Sequence, residues 1–396
     1  MRACNFAFES NHRTNVMAET PELTEADLTA LLQTTQRFAR QTLAAEVAVP
    51  QTAMTPERAR ALVNQLVQLG VLNAGPEPAL GLWDDAHDPL QRVLGQKTLH
   101  ALAGCSPGFA YQVHLQGLAN LMARGRLMAP GEDLISFEGW LGMGGRALPA
   151  ALTDKPLSPP HAAQMADCWS EPTPQKPRYL HALPDWTSLW LPTWQTQGAW
   201  RWHRFARSDL VVEVCGHPHG FDELVLQKLC LRTPGLRPDE GLTSNAQASQ
   251  QFIELSACYG IGLLAIAAGA ASRALLIARD YSELRRQGGV LIKEHDAVAQ
   301  LLGKARQILG LTESAMTSLT TGPLNLALLI EVWRMRATLH PMLCTVASNA
   351  MQVLGGIGYM RDQGVEKLLR DCNQLRLLGG SPSELTLCSA AWESSV

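Results

Sequence analysis

Two histidines, His217 and His219, flank Pro218 at the end of the apolar run "DLVVEVCGHPH". On a strand they would share a face, as two metal ligands must. No third Cys, His or carboxylate stands at ligand spacing, so the pair reads as a solvated strand end. Six of the ten tryptophans fall between Trp169 and Trp202. They read as packing for a small β-domain, with stacking on a substrate as the lesser alternative. No glycine-rich phosphate loop and no G-x-S-x-G elbow occurs. Near the C-terminus, "QLRLLGGSPSEL" from Gln374 to Leu385 reads as a loop that follows an apolar helical run.

These residues must be positioned by a chain of 396 residues, 46% hydrophobic and 17% charged, with length for two or three domains. A net charge of −3 gives no basic face for nucleic acid. Nine dispersed cysteines without a C-x-x-C pair read as reduced thiols, which predicts a cytoplasmic protein. Residues 1–16 lack an apolar core of the secretory type, and Met17 is an alternative start. The uncharged stretch Leu255 to Ser272 has the composition of a membrane span but reads as a buried bundle helix, with no span expected.

Helix signals fill the region 23–130, after a tail, 1–22, that reads as disordered. Thr24 with Asp27 can cap a helix whose Leu28, Leu31, Leu32 and Phe38 share a face. A second helix begins at Thr55-Pro56 and ends at Gly70. A third stretch, His100 to Met122, breaks at Ser106. From 131 to 240, prolines, tryptophans and short β-like runs take over, and "DLVVEVCG" and "ELVLQKLCL" read as strands. From 241 to 396 long helices return; Val298, Leu301, Leu302, Ala305, Ile308 and Leu309 keep helical spacing.

Two stretches of this last region carry a resemblance. "YSELRRQGGVLIKEHDAVAQLL", from Tyr281, resembles the acyl-CoA dehydrogenase pattern Y-x-x-x-R-x-Q-F-G-x-x-[IL]-x-x-x-Q-x-[IV]. "QVLGGIGYMRDQGVEKLLRDCNQLRLLGG", from Gln352, is similar to that family's Q-[IV]-x-G-G-x-G-[YF] followed by V-E-[RK]-x-x-R-D. The resemblance implies an N-terminal helical domain, a middle β-barrel and a C-terminal four-helix bundle, in the order already read from the chain. It also implies FAD, a CoA- or carrier-bound acyl thioester, and a homo- or hetero-dimer or tetramer. Arg285 matches the arginine on the FAD pyrophosphate of a neighbouring subunit, a role that suits a guanidinium fork. Gln352, Gly355 and Gly356 match the segment along the adenine, where glycine lets backbone approach the ligand. Ser381 stands near the family threonine that follows the catalytic position, in a loop lengthened by Pro382.

The family's base is a glutamate, because a desolvated carboxylate can rise in pKa toward neutrality. Its usual position is Gly379 here. Its minority position, on the helix before A-A-G, is Tyr259, and the arginine often beside that is Gly260. Glu254 should face elsewhere on the helix, and Glu384 reads as a helix-start residue. Other departures are Gly288 for phenylalanine, Asp296 for glutamine, "ALTD" at Ala151 to Asp154 without the family's G-S-D, and only an echo of its tryptophan motif in "WTS" at Trp186 to Ser188. The expected function is α,β-dehydrogenation of an acyl thioester on FAD, in a mixed assembly or with a base placed elsewhere. The alternatives are a non-catalytic relative and a relative with different flavin chemistry.

Overall fold

The computed structural model describes residues 23–47, 54–73, 80–123, 133–138, 142–153, 156–195, 198–216, 218–235 and 245–393. Four helices dominate the first region. Helix α1 (Glu25–Phe38) starts on a capping box in which the Thr24 and Asp27 side chains each take the other's backbone N–H. It continues through a π-helical turn, Ala39–Leu43, into the short α2 (Ala44–Glu46). Helix α3 (Pro56–Gln68) is capped by Thr55 and followed by Gly70 at φ +70°. Helices α4 (Pro89–Ala103) and α5 (Pro107–Met122) are separated at Ser106, whose hydroxyl accepts the Phe109 N–H. These boundaries follow the sequence reading because capping is local chemistry.

The middle region contains more helix than its sequence suggests. Strand β1 (Asp133–Ile135) is followed by α6 (Ala147–Ala151) and α7 (Pro159–Cys168) before the sheets resume. Prolines at the starts of helices, as in α7, disguise them as loop. Strands β2 (Arg178–Ala182), β3 (Ser188–Gln195), β4 (Ala199–Ala206), β5 (Leu210–Val214) and β6 (Val225–Leu231) form two three-stranded sheets, β1-β3-β4 and β2-β6-β5. Among the described strands only β1 runs parallel to its neighbour, with Ile135 opposite Trp190. Arg204 on β4 holds Asp133 by two bonds of 2.7 and 2.9 Å, which fixes β1.

Helix α8 (Asn245–Leu284) is the spine of the molecule and packs against α4, α5, β4 and the later helices. It is long and apolar enough to cross a membrane, but 72% of its most apolar window is buried inside the protein. Ile261, Leu263, Leu264 and Ile266 are fully buried, each contributing about 1.5–3 kcal/mol of burial. The hairpin β7 (Arg286–Gln287) and β8 (Val290–Leu291) follows. Its turn residues Gly288 and Gly289 have φ +63° and +87°, the turn that favours glycine at both positions. That geometry accounts for Gly288 where the family has phenylalanine. Helices α9 (Asp296–Ser318), α10 (Leu326–Leu354), α11 (Val365–Leu375) and α12 (Pro382–Glu393) complete the bundle.

Candidate active site

The two positions at which the family resemblance places a base lie on different elements, and the fold brings them together. Tyr259 sits on α8, and Gly379 sits in the turn between α11 and α12. A Cβ on Gly379 would lie 2.5 Å from Cε1 of the Tyr259 ring, and Gly379 adopts φ +58°. Neither position holds a carboxylate, but one reaches both. Glu138, three residues beyond β1, accepts the Gly379 N–H on Oε1 at 2.7 Å and the Tyr259 hydroxyl on the same oxygen at 3.0 Å. Among the described residues no hydrogen bond to Oε2 is found.

Burial raises the pKa of Glu138, while the Gly379 N–H, the Tyr259 hydroxyl and the Arg336 charge oppose that rise. Tyr259 donates to the carboxylate, so the Tyr111 hydroxyl, 3.1 Å away, donates to Tyr259. Burial pushes the phenol of Tyr259 well above its ordinary range, so it stays protonated as a donor.

An arginine is also supplied from a different element. At Gly260 a Cβ would lie 2.4 Å from Val332 Cγ1 and 3.1 Å from Arg336 Cδ. Arg336, on α10, is buried, and its Nη1 donates to the Gly379 carbonyl at 2.9 Å. Nη2 donates to the Leu378 carbonyl at 2.5 Å. Arg336 therefore fixes the turn that carries Gly379. The absence of a side chain at Gly260 makes room for it.

Aromatic rings back the site. Phe137 stacks on Tyr259 with centroids 4.9 Å apart, and His114 stacks on its other neighbourhood at 5.7 Å. Trp83 Nε1 donates to His114 Nδ1 at 3.0 Å, which leaves Nε2–H to donate to the Tyr259 carbonyl at 3.1 Å. Burial holds His114 neutral, with its pKa pushed down to about 3. The chain after Glu138 is tied back to α12, because Glu384 accepts the Met143 N–H and Cys388 Sγ lies 3.1 Å from the Gly145 carbonyl. Glu384 is thus the helix-start residue expected of it. Glu254 accepts from Gln250 on its own helix and takes no part in the site.

The remaining residues singled out from sequence divide between two places. Arg285, Gln352 and Gly356 are exposed, and Gly355 is half-buried with φ +63°. They lie at one end of the bundle, where Ile292 packs in one apolar cluster with Val353 and Leu354. A Cβ on Gly355 or Gly356 would meet nothing within 4 Å. Around them Leu284, Val290, Ile357, Tyr359 and Met360 are exposed apolar side chains. Ser381 is elsewhere, beside Gly380, where its hydroxyl accepts the Glu384 N–H at 3.4 Å at the start of α12.

This bundle end fits the pyrophosphate and adenosine of a dinucleotide. It offers a cation without a charged partner among the described residues and open backbone next to it. The "WTS" echo does not fit a flavin contact. Trp186 is buried, donates to Gln227 Oε1 at 3.0 Å and carries Arg207 4.7 Å over its ring. Trp200 instead faces α8, stacked on Phe252 at 4.2 Å, so the tryptophan cluster is packing. Asp154 and His217 lie outside the described residues, and His219 is exposed in a loop rather than on a strand. No group of three metal-ligating side chains occurs among the described residues.

Sequence reasoning missed Glu138 and Arg336. Their contacts lie more than a hundred residues away or across the bundle, and neither has a motif. The only local hint was a carboxylate at the end of the apolar run "LISFEG".

Comparisons with known proteins agree with the fold and with the C-terminal motifs. The C-terminal domain of acyl-CoA dehydrogenases matches residues 261–388. The mouse (Mus musculus) mitochondrial very long-chain specific acyl-CoA dehydrogenase is 27% identical over 131 residues, which cover 32% of this chain and 20% of that protein. The chain thus matches about a fifth of that relative's length. The structure of butyryl-CoA dehydrogenase from Megasphaera elsdenii aligns with a TM-score of 0.69 at 15% identity, covering 94% of this chain and 99% of the other. A glutaryl-CoA dehydrogenase from Mycobacterium smegmatis in complex with FADH2 aligns at 0.68 and 13% identity, covering 94% and 96%. The C-terminal bundle, residues 261–388, is thus similar to the C-terminal domain of acyl-CoA dehydrogenases and the fold is similar to theirs over most of the chain, with glycine and tyrosine at the two positions where that resemblance places a glutamate.

Proposed function

We propose that the protein is a FAD-dependent oxidoreductase of acyl thioesters, working in an oligomer in which the bundle end of one subunit completes the flavin site of its neighbour. The observation that carries this reading is the bundle end itself. Arg285, Gln352 and Gly356 are exposed, and Gly355 is half-buried, at the same bundle end as the exposed apolar Leu284, Val290, Ile357, Tyr359 and Met360, an arrangement that suits both a dinucleotide and a second subunit. Arg285 would hold the pyrophosphate, and the backbone at Gly355 and Gly356 would lie along the adenosine. FAD, when bound, supplies hydride acceptance. The chain itself supplies the donor network around Gly379 and the hydrophobic wall of Phe137 and Tyr259.

The substrate reading, a CoA- or carrier-bound acyl chain in a cytoplasmic setting, rests on the family and on the reduced thiols. The test is the visible spectrum and molar mass of the purified protein. A flavin band, stoichiometric with subunits of an oligomer and lost together with oligomerisation in Arg285→Glu, supports it. Colourless protein that takes up no added FAD, alone or with any dehydrogenase-like partner, refutes it.

A further inference from the structure

Three features of the molecule could carry a site. A cleft of about 1250 Å³ lies between the N-terminal helices, α8 and α11, with Arg40, Arg273 and Arg361 on its walls beside Asp222, Glu223 and Glu46. Its mixed charge selects no ligand. The apolar bundle end belongs to the function already proposed. The third feature is Glu138.

We infer that Glu138 is the base of this protein, a carboxylate moved from the bundle to the end of β1, with Tyr259 as its positioning residue. The inference rests on the acyl-thioester function proposed above, and it deepens that reading by assigning the missing group. Four observations carry it. Glu138 bonds to both residues that stand at the family's two base positions, through one oxygen. That oxygen is held by two donors, and the other has no hydrogen-bond partner among the described residues. A carboxylate arranged this way is oriented without being neutralised by direct pairing. The arginine expected at position 260 is also supplied from outside α8, by Arg336. Base and arginine are therefore displaced together. Finally, Gly379 cannot take a side chain without meeting Tyr259, so the space is already committed to this arrangement.

In the step assigned to it, Oε2 of the ionised carboxylate takes the α-proton of the thioester. The C–H bond breaks, its electron pair stays on the α-carbon as an enolate delocalised onto the thioester oxygen, and an O–H bond forms on Glu138. The carboxylic proton of Glu138 exchanges with solvent, and return of a deuteron from Glu138 to the α-carbon in D2O reforms the C–H(D) bond and the carboxylate, so the α-position becomes deuterated with no oxidant consumed.

The experiment measures α-deuteration of butyryl-, octanoyl- and palmitoyl-CoA in D2O by mass spectrometry, with the purified full-length protein as isolated. Glu138→Gln keeps an oxygen for both donors but cannot take the proton, and the expected loss of exchange is about 10² to 10⁴-fold. Glu138→Asp should recover part of it. Tyr259→Phe removes a hydrogen bond to the ionised form, so the pH midpoint of exchange should move upward. The wild-type midpoint should itself lie above that of an ordinary carboxylate, a readout that needs no variant to fold. Equal exchange in Glu138→Gln and wild type, or a wild type that binds flavin and acyl-CoA without exchange or with a flat pH profile, overturns the base and leaves the function standing. A wild type that binds neither flavin nor any of the three thioesters overturns both.

Discussion

Restoring a side chain at Gly379 should damage the protein rather than repair it. The smallest perturbation is Gly379→Ala. Residue 379 has φ +58°, and a Cβ there would lie 2.5 Å from Tyr259 Cε1, 3.2 Å from Cδ1 and 3.3 Å from Arg336 Nη1. A left-handed conformation costs a residue with a Cβ about 1–2 kcal/mol. Forcing one extra carbon into a packed site costs typically ~1–3 kcal/mol, and Tyr259 has little freedom to yield. Its ring is stacked by Phe137 and its hydroxyl is held by Glu138. The sum is about 2–5 kcal/mol, and Gly379→Glu adds a second buried carboxylate beside Glu138, which raises the cost further. The assay is urea unfolding of wild type, Gly379→Ala, Tyr259→Ala and the double variant. Removing the ring should relieve the steric part only, so the cycle should return a coupling of about 1–3 kcal/mol. If Gly379→Ala lies within ~0.5 kcal/mol of wild type, the steric argument for the displaced base fails.

Other expectations concern stability. His114, His181 and His340 are buried neutral, with pKa values pushed down to about 3 for His114, about 4 for His181 and downward for His340. The unfolded chain binds protons that the folded one refuses, so stability should fall with pH below about 6.5 and down to the folded-state values, at about 1.4 kcal/mol per pH unit per histidine. Absence of proton uptake on unfolding at pH 5 would contradict this. Lys367 serves two buried carboxylates, Asp371 at 2.6 Å and Glu223 at 2.9 Å; Lys367→Met should cost about 3–5 kcal/mol in denaturant unfolding, and a loss under ~1 kcal/mol would show that the pair is not maintained. Arg92 is fully buried and donates to the carbonyls of Ala86, Thr320 and Gly322. Arg92→Met should cost at least the ~1–3 kcal/mol of one stranded buried acceptor and loosen the start of α4 against the end of α9, read as faster hydrogen exchange there.

What the sequence by itself determined is what short-range chemistry controls. The Thr24–Asp27 box, the Thr55-Pro56 start, the Ser106 break and the uninterrupted apolar α8 could all be read in advance, because caps and helical periodicity involve residues three or four apart. The motifs that carry the family resemblance put Arg285 just past the end of α8 and Gln352, Gly355 and Gly356 at the end of α10, and these two parallel helices end at the same end of the bundle. The proline-led α7 was hidden by its composition. The tertiary structure alone decided the centre of the site. Along the chain, Gly379 and Tyr259 leave no carboxylate at either position. The fold brings a carboxylate from the end of β1 and a guanidinium from α10 into the space they leave, since a buried donor such as the Gly379 N–H must find a partner wherever the packing offers one.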